Sequence, residues 1–208
     1  YFEKAGFLDS ISVLYKKYLK LRPEISEKLA GDIQEASFSD ELENAIGIHF
    51  RGTDFRQSLF GHPKYVSYED YLRAVLEIRG GYQNLFICTD DENALRYFKD
   101  SFKNIFSKIL FYQNTMRSTG DIGLHYAVAK NPVHDRDIGY EVIRDVYTLA
   151  KCRALLAGVS YVSFSARVVN ATYERKFETC KILDRGLNAS GVTSKVFNEN
   201  FKISKIQK

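Results

Sequence analysis

Ile46-Gly47-Ile48-His49-Phe50-Arg51-Gly52-Thr53-Asp54 decides the fold, because an apolar run that begins at Ala45 passes directly into a tight polar His-x-Arg-x-x-Asp turn. Residues 45–50 stay apolar long enough to form a buried strand, and Gly52 permits a sharp backbone exit. Arg51 and Asp54 then fall at the carboxyl edge of a sheet, where open α/β folds bind ligands near the topological switch point. The planar fork of an arginine suits two phosphate oxygens, where a lysine offers a point charge. The alternative is that Arg51 and Asp54 pair with each other and only pin the loop.

Working outward from this strand, helices and strands alternate. Two helical stretches, 7–21 and 24–36, are separated by Pro23 and form a helical lead-in. After the strand come a loop over 51–66 and a helix over 68–78, which Gly80-Gly81 closes as a left-handed cap requires. The periodicity continues with a strand over 85–89, a helix over 91–102, a short strand over 108–112, a helix over 138–151, a strand over 154–159 and a helix over 162–177. Such alternation predicts an α/β, Rossmann-like parallel sheet with helices on both faces. The long polar stretch 113–136 is of a length that is functional or unstructured in compact domains. The organisation expected is a helical lead-in over 1–44, an α/β ligand-binding domain over 45–187 and a Ser-, Asn- and Lys-containing tail over 188–208 that adds little to the core.

Composition narrows the function. With 208 residues, 45% hydrophobic, the chain can bury a substantial core. The formal charge of +4 is modest and its cations are scattered, so no nucleic-acid partner is expected; a small anionic ligand would suffice. Cys88, Cys152 and Cys180 lack metal-ligand spacing and read as reduced thiols. There is no transmembrane-length apolar run and no signal pattern, and the only methionine is Met116 in a chain that starts at Tyr1. The expected location is cytoplasmic, with peripheral membrane association left open, and the chain reads as a fragment or excised domain. Asn170-Ala171-Thr172 and Asn188-Ala189-Ser190 fit the glycosylation pattern, but such short patterns arise by chance, and they are not taken as a sign of secretion.

Two further features carry chemistry. Val142, Asp145, Val146 and Leu149 follow one apolar stripe of a helix. A carboxylate there is costly unless something hydrogen-bonds to it, and guanine, with its N1 and N2 hydrogens side by side, is a suitable partner; an internal ion pair or loop cap is the alternative. Ser160 and Ser163 flank a strand-to-helix turn, where unpaired amides and the dipole favour an anion. Ser163 is equally suited to be an ordinary N-cap.

His49-Phe50-Arg51-Gly52-Thr53-Asp54 resembles the His-x-Arg-x-x-Asp motif of the fucosyltransferase superfamily, which includes α1,6-fucosyltransferases, nodulation fucosyltransferases and protein O-fucosyltransferases. In the same order, Leu85-Phe86-Ile87-Cys88-Thr89-Asp90-Asp91 resembles its second strand and Thr-Asp-Asp turn, and Gly123-Leu124-His125 a piece of the loop over the nucleotide. Residues 145–149, 155–163 and Tyr173-Glu174 resemble its third motif region. The resemblance implies the C-terminal, donor-binding half of a two-domain GT-B enzyme of polysaccharide biosynthesis, taking GDP-fucose and transferring fucose with inversion to a glycan. It implies that Arg51 neutralises the departing diphosphate, that Asp145 reads guanine, that a Ser-containing turn at Ser160 and Ser163 meets the β-phosphate, and that no metal or other cofactor is needed. His49 and Asp54 complete the expected donor site, with His49 orienting the loop or the base; Asp90, Asp91 and His125 are secondary candidates. Asp90-Asp91 also allows a shared Mg²⁺, or a helix cap at Asp91. The chain departs from α1,6-fucosyltransferases where Gly52 replaces a second Arg and where residues 55–60 hold no carboxylate for the expected catalytic Glu. The general base is therefore sought elsewhere, with Asp54 and Glu69 as candidates, or in an upstream domain.

Overall fold

The computed structural model describes residues 6–120, 123 and 132–191. After two helices, α1 (Phe7–Tyr18) and α2 (Pro23–Glu35), and a 3-10 turn, the strands and helices follow as β1 (Ala45–Phe50), α3 (Tyr68–Ile78), β2 (Asn84–Thr89), α4 (Glu92–Phe102), β3 (Lys108–Leu110), α5 (Pro132–Lys151), β4 (Ala154–Gly158), α6 (Tyr161–Thr172) and β5 (Thr179–Leu183). The strands form one all-parallel sheet in the order β3-β2-β1-β4-β5. This is the expected α/β Rossmann-like architecture.

Strand alternation divides the core between two faces. Ile46, Ile48 and Phe50 of β1 project with Leu85, Ile87, Ala154 and Leu156 towards α3 and α4. Phe86, Cys88, Leu155 and Ala157 project the other way, against Leu29 and Ile33 of α2, Leu149 of α5 and Ala166 of α6. Phe50 is buried in an aromatic nest, with ring centroids 5.0 Å from Tyr71, 5.1 Å from Tyr68 and 5.5 Å from Phe98. Edge and tilted contacts of this kind add to area burial, so the base of the motif turn is anchored in packed rings.

Several boundaries follow local chemistry. Ser67 caps α3 by accepting from the amide of Asp70 (3.2 Å), and Gly80 takes the left-handed conformation after it (φ 45°). Pro23 is the first residue of α2, its missing N–H costing nothing there. Other boundaries differ from expectation. Helix α5 starts at Pro132, and α6 stops at Thr172 instead of reaching residue 177. The side chain of Asn170 donates to the carbonyl of Ala150 (2.9 Å) and accepts from the amide of Phe177 (2.9 Å), turning the chain into β5, an edge strand not anticipated.

The segment just after β5 returns to the loop that follows the β1 motif. The amide of Lys64 donates to the carbonyl of Gly186 (2.8 Å), that of Gly61 to Asn188 (3.0 Å), and that of Asn188 back to His62 (2.9 Å). Pro63 and Leu187 form an antiparallel bridge, and Asn188 Nδ2 donates to the carbonyl of Leu59 (3.2 Å). The loop after the β1 motif is thus clasped by residues 186–188 through backbone and amide hydrogen bonds, without adding to the hydrophobic core.

Candidate functional site

In a sheet of order 3-2-1-4-5 the winding reverses between β1 and β4, and a crevice opens at their carboxyl ends. His49, the penultimate residue of β1, and Ser160, at the start of α6, meet across that reversal, with Nδ1 and Oγ 3.2 Å apart. Burial, followed by the charge of Arg51, pushes the His49 pKa down to about 3, so the ring is neutral. Its backbone carbonyl accepts from the hydroxyl of Tyr71 (2.9 Å). Ser160 is the N-cap of α6 and Ser163 its third residue, together forming a capping box. Ser163 is buried, and its hydroxyl donates inward to the carbonyls of Gly158 (2.8 Å) and Ser160 (2.9 Å). The cap is therefore Ser160, not Ser163 as the alternative reading had it, and the Ser163 hydroxyl serves the turn.

Arg51 leaves the end of β1 between two carboxylates. Its Nε donates to Oδ1 of Asp54 (3.0 Å) and pairs with Oδ2 of Asp90 (3.2 Å), while Nη2 reaches Asp54 Oδ1 (3.0 Å). Asp90 also accepts from the amide of Gly52 (3.1 Å) and the hydroxyl of Thr53 (2.7 Å). Asp54 and Thr53 are buried. The pairing of Arg51 with Asp54, held open above as an alternative, is present, and Asp90 joins it.

Asp91, fully buried, caps α4 by accepting from the amides of Asn93 (2.9 Å) and Ala94 (3.2 Å). Its other oxygen takes Arg56 and the hydroxyl of Tyr68 (3.0 Å). Asp91 therefore serves the cap and the Arg56 pair and does not line an open site. Gly52 lies tightly against it: a Cβ there would come 2.3 Å from Asp91 Oδ2 and 2.6 Å from Phe50 Cε1. That contact is the physical reason no larger residue stands at this point of the motif.

Asp145 sits on α5 close to the thiol of Cys88, near the carboxyl end of β2. Burial raises the Asp145 pKa to about 6, against the lowering influence of Cys88 and Arg144. The expected stripe is only partly realised. Val146 and Leu149 are buried, but Val142 is 43% exposed, so the core-facing surface of α5 begins later than the pattern suggests.

Two arginines near Asp145 were not anticipated. Arg144 is buried, lies over the Tyr112 ring (3.9 Å to the centroid) and donates to Thr115 Oγ1 (2.6 Å). Arg117 donates to the Tyr112 carbonyl (2.7 Å), and burial lowers its pKa. Among the described residues the buried Nε of each lacks a hydrogen-bond partner. Arg117 approaches from a separate part of the chain, whereas Arg144 directly precedes Asp145 on α5, and no local pattern marks either.

The other candidates are placed as follows. Glu69 is exposed in the first turn of α3. Asn170 is buried, which removes it as a glycan acceptor. Tyr173-Glu174 lies just beyond α6. His125 and Leu124 lie outside the described residues. Among the described residues all three cysteines are free, Cys88 and Cys152 buried and Cys180 exposed. Also among these residues, no group of three or more His, Cys, Asp or Glu is arranged to hold a metal, and no helix is long and apolar enough to cross a membrane.

The sheet order and the polar groups gathered at its carboxyl edge define a doubly wound α/β protein with a candidate ligand edge at the β1/β4 switch. Among solved structures, the fold is similar to that of POFUT1 in its apo form, with 12% identity over 86% of this chain and 50% of that chain, at a TM-score of 0.51. It is also similar to a NodZ alpha-1,6-fucosyltransferase co-crystallized with GDP, with 17% identity over 73% of this chain and 42% of that chain, at a TM-score of 0.44. At these identities the likeness is one of fold, and it agrees with the α/β Rossmann-like architecture expected from the sequence. The chain spans half or less of the length of these two structures. No family model and no curated protein matches the sequence.

Proposed function

We propose that this chain is the donor-binding half of a glycosyltransferase that takes a GDP-sugar, with GDP-fucose the first to test, and transfers the sugar with inversion to a glycan hydroxyl. The observation that carries this reading is the Asp145 carboxylate, desolvated at the carboxyl side of the sheet with the Cys88 thiol as its near neighbour. A thiol is a weak donor, so this carboxylate gains most from a ligand with two parallel N–H groups, which guanine presents.

In this reading the diphosphate lies towards the β1/β4 reversal. Arg51 turns part of its guanidinium to the phosphate as the leaving group gains charge, and the start of α6 contributes its amides and dipole. His49, neutral, acts as a positioning residue that holds Ser160 and the α6 start in register with β1. Asp54 holds Arg51, which leaves the deprotonation of the acceptor to a group such as Glu69 or to another domain.

A second reading, a nucleotide- or glycan-binding module without turnover, is favoured by one observation: Asp54 is committed to Arg51 and Thr53, and residues 55–60 contain no carboxylate. Titration calorimetry with GDP, UDP and ADP, on the wild type and on Arg51→Ala and Asp145→Ala, tests the donor site. A preference for GDP lost in both variants supports it, and equal binding of all three nucleotides overturns it. Release of GDP from GDP-fucose in the presence of glycan acceptors then separates transfer from binding alone.

A further inference from the structure

At the β1 motif, the guanidinium groups of Arg51 and Arg56 are packed against three carboxylates, Asp54, Asp90 and Asp91. The cluster is formally negative, with His49 beside it neutral. A diphosphate carries negative charge of its own, and Coulomb repulsion at such range is worth kilocalories in a partly desolvated site. Arg51 alone does not reverse that sign. The edge needs another cation.

Lys64 is suited to supply it. It lines the same narrow crevice as Arg51, together with Phe55, Tyr71, Gly158 and Val159, where the motif loop faces the turn into α6. The crevice itself holds only about 10 Å³, so a phosphate would sit at its mouth, between the two cations and the start of α6. Lys64 is exposed, and among the described residues it forms no ion pair. Its backbone is not loose: the Lys64 amide donates to the Gly186 carbonyl, and the neighbouring Pro63 pairs with Leu187. The clasp thus fixes the stem of a side chain whose charge is uncommitted.

We infer that Lys64 is a further anion-binding residue of this site, contributing the positive charge that lets the Arg51 cluster accept the diphosphate of a nucleotide. The inference rests on the proposed GDP-sugar reading and adds to it a residue outside the motif. Lysine serves here as a flexible point charge that can follow the ligand, a role the rigidly paired arginines do not fill.

Calorimetric titration of GDP into the full chain tests it, with Lys64→Gln, Lys64→Arg and, as a remote loss of charge, Lys151→Gln. The expected result is a Kd about tenfold higher for Lys64→Gln, the effect of losing one charge-assisted contact, with Lys64→Arg near wild type and Lys151→Gln unchanged. The salt dependence of GDP binding is expected to be shallower in Lys64→Gln. Equal GDP affinity of wild type and Lys64→Gln overturns the inference and leaves the nucleotide reading standing; equal weakening by Lys151→Gln reduces the effect to overall charge and also overturns it. Absence of GDP binding by the wild-type chain overturns the nucleotide reading and, with it, this assignment.

Discussion

His49 and Ser160 join the end of β1 to the start of α6 at 3.2 Å, across the place where the sheet reverses its winding. The bond couples the strand that delivers Arg51 to the helix end that would face a phosphate. The ring that makes it is uncharged.

The His49 ring resists protonation in the folded chain, with a pKa near 3 against an ordinary value of 6.5. Below pH 6.5 the unfolded chain takes up a proton that the folded chain refuses. Stability is therefore full above that pH and is lost on acidification down to about pH 3, at up to about 1.4 kcal/mol per pH unit. Because Asp145 contributes the opposite slope between about pH 4 and pH 6, the test is the difference between two chains: in urea denaturation from pH 7 to pH 4 the wild type is expected to lose stability relative to His49→Gln at this slope, the Asp145 contribution cancelling between them. Equal slopes would rule out His49 as their source.

Asp145 has the opposite sign. Its pKa is raised to about 6 by burial, so the folded chain holds a proton that the unfolded chain has released. The associated stability is full below about pH 4 and is lost as the pH rises through about 6. Asp145→Asn is expected to stabilise the protein at pH 7.5 by up to about 3 kcal/mol, with the gain disappearing near pH 4. In the proposed site, GDP binding should weaken as the pH falls through about 6, because the carboxylic acid cannot accept from both guanine donors. A flat binding profile between pH 5 and 7 would remove Asp145 from the base-reading role.

Gly52→Ala tests the packing behind the motif. The added Cβ meets Asp91 Oδ2 at 2.3 Å and Phe50 Cε1 at 2.6 Å, both held by buried partners. A loss of about 1–3 kcal/mol in chemical denaturation is expected, as for other overpacked sites. An unchanged midpoint would show that the turn can move aside.

Asp91→Ala removes a cap and leaves Arg56 without its buried partner, so a loss of about 3–5 kcal/mol is expected. The two roles of Asp91 leave little of its carboxylate for a cation, and GDP binding by the wild type is expected to be the same with Mg²⁺ or with EDTA. A gain in affinity with Mg²⁺ would restore the metal reading of Asp90-Asp91.

The legible parts of the chain were those set by local patterns. Residues 45–50 form β1 with no shift of boundary, because a run buried on both faces of a parallel sheet is continuously apolar and ends at a polar turn. Residues 68–78 form α3 with equally firm edges, bounded by the Ser67 cap and Gly80. Strand β5 escaped notice because Thr179, Lys181 and the exposed Cys180 belong to a half-covered edge strand, which shows neither a buried run nor a clean alternation. The early end of α6 was hidden for a related reason: Asn170 is an unremarkable helix residue until its side chain meets Ala150 and Phe177. At the site, the motif located Arg51, Asp54 and His49 at one edge. It could not show that Asp90 shares Arg51, or that Arg117 approaches from elsewhere, since those contacts depend on distant parts of the chain.

The clasp between residues 61–64 and 186–188 sets an order of events for the nascent chain. A polypeptide leaves the ribosome from its N-terminus, and the β1 motif emerges more than a hundred residues before the strand-like segment that fixes its loop. The central strands β1, β2 and β4 can pair while residues 58–64 still lack their partner. The ligand edge is therefore the last part of the sheet to be finished, and a growing chain acquires its hydrophobic core before it acquires a settled mouth for an anion.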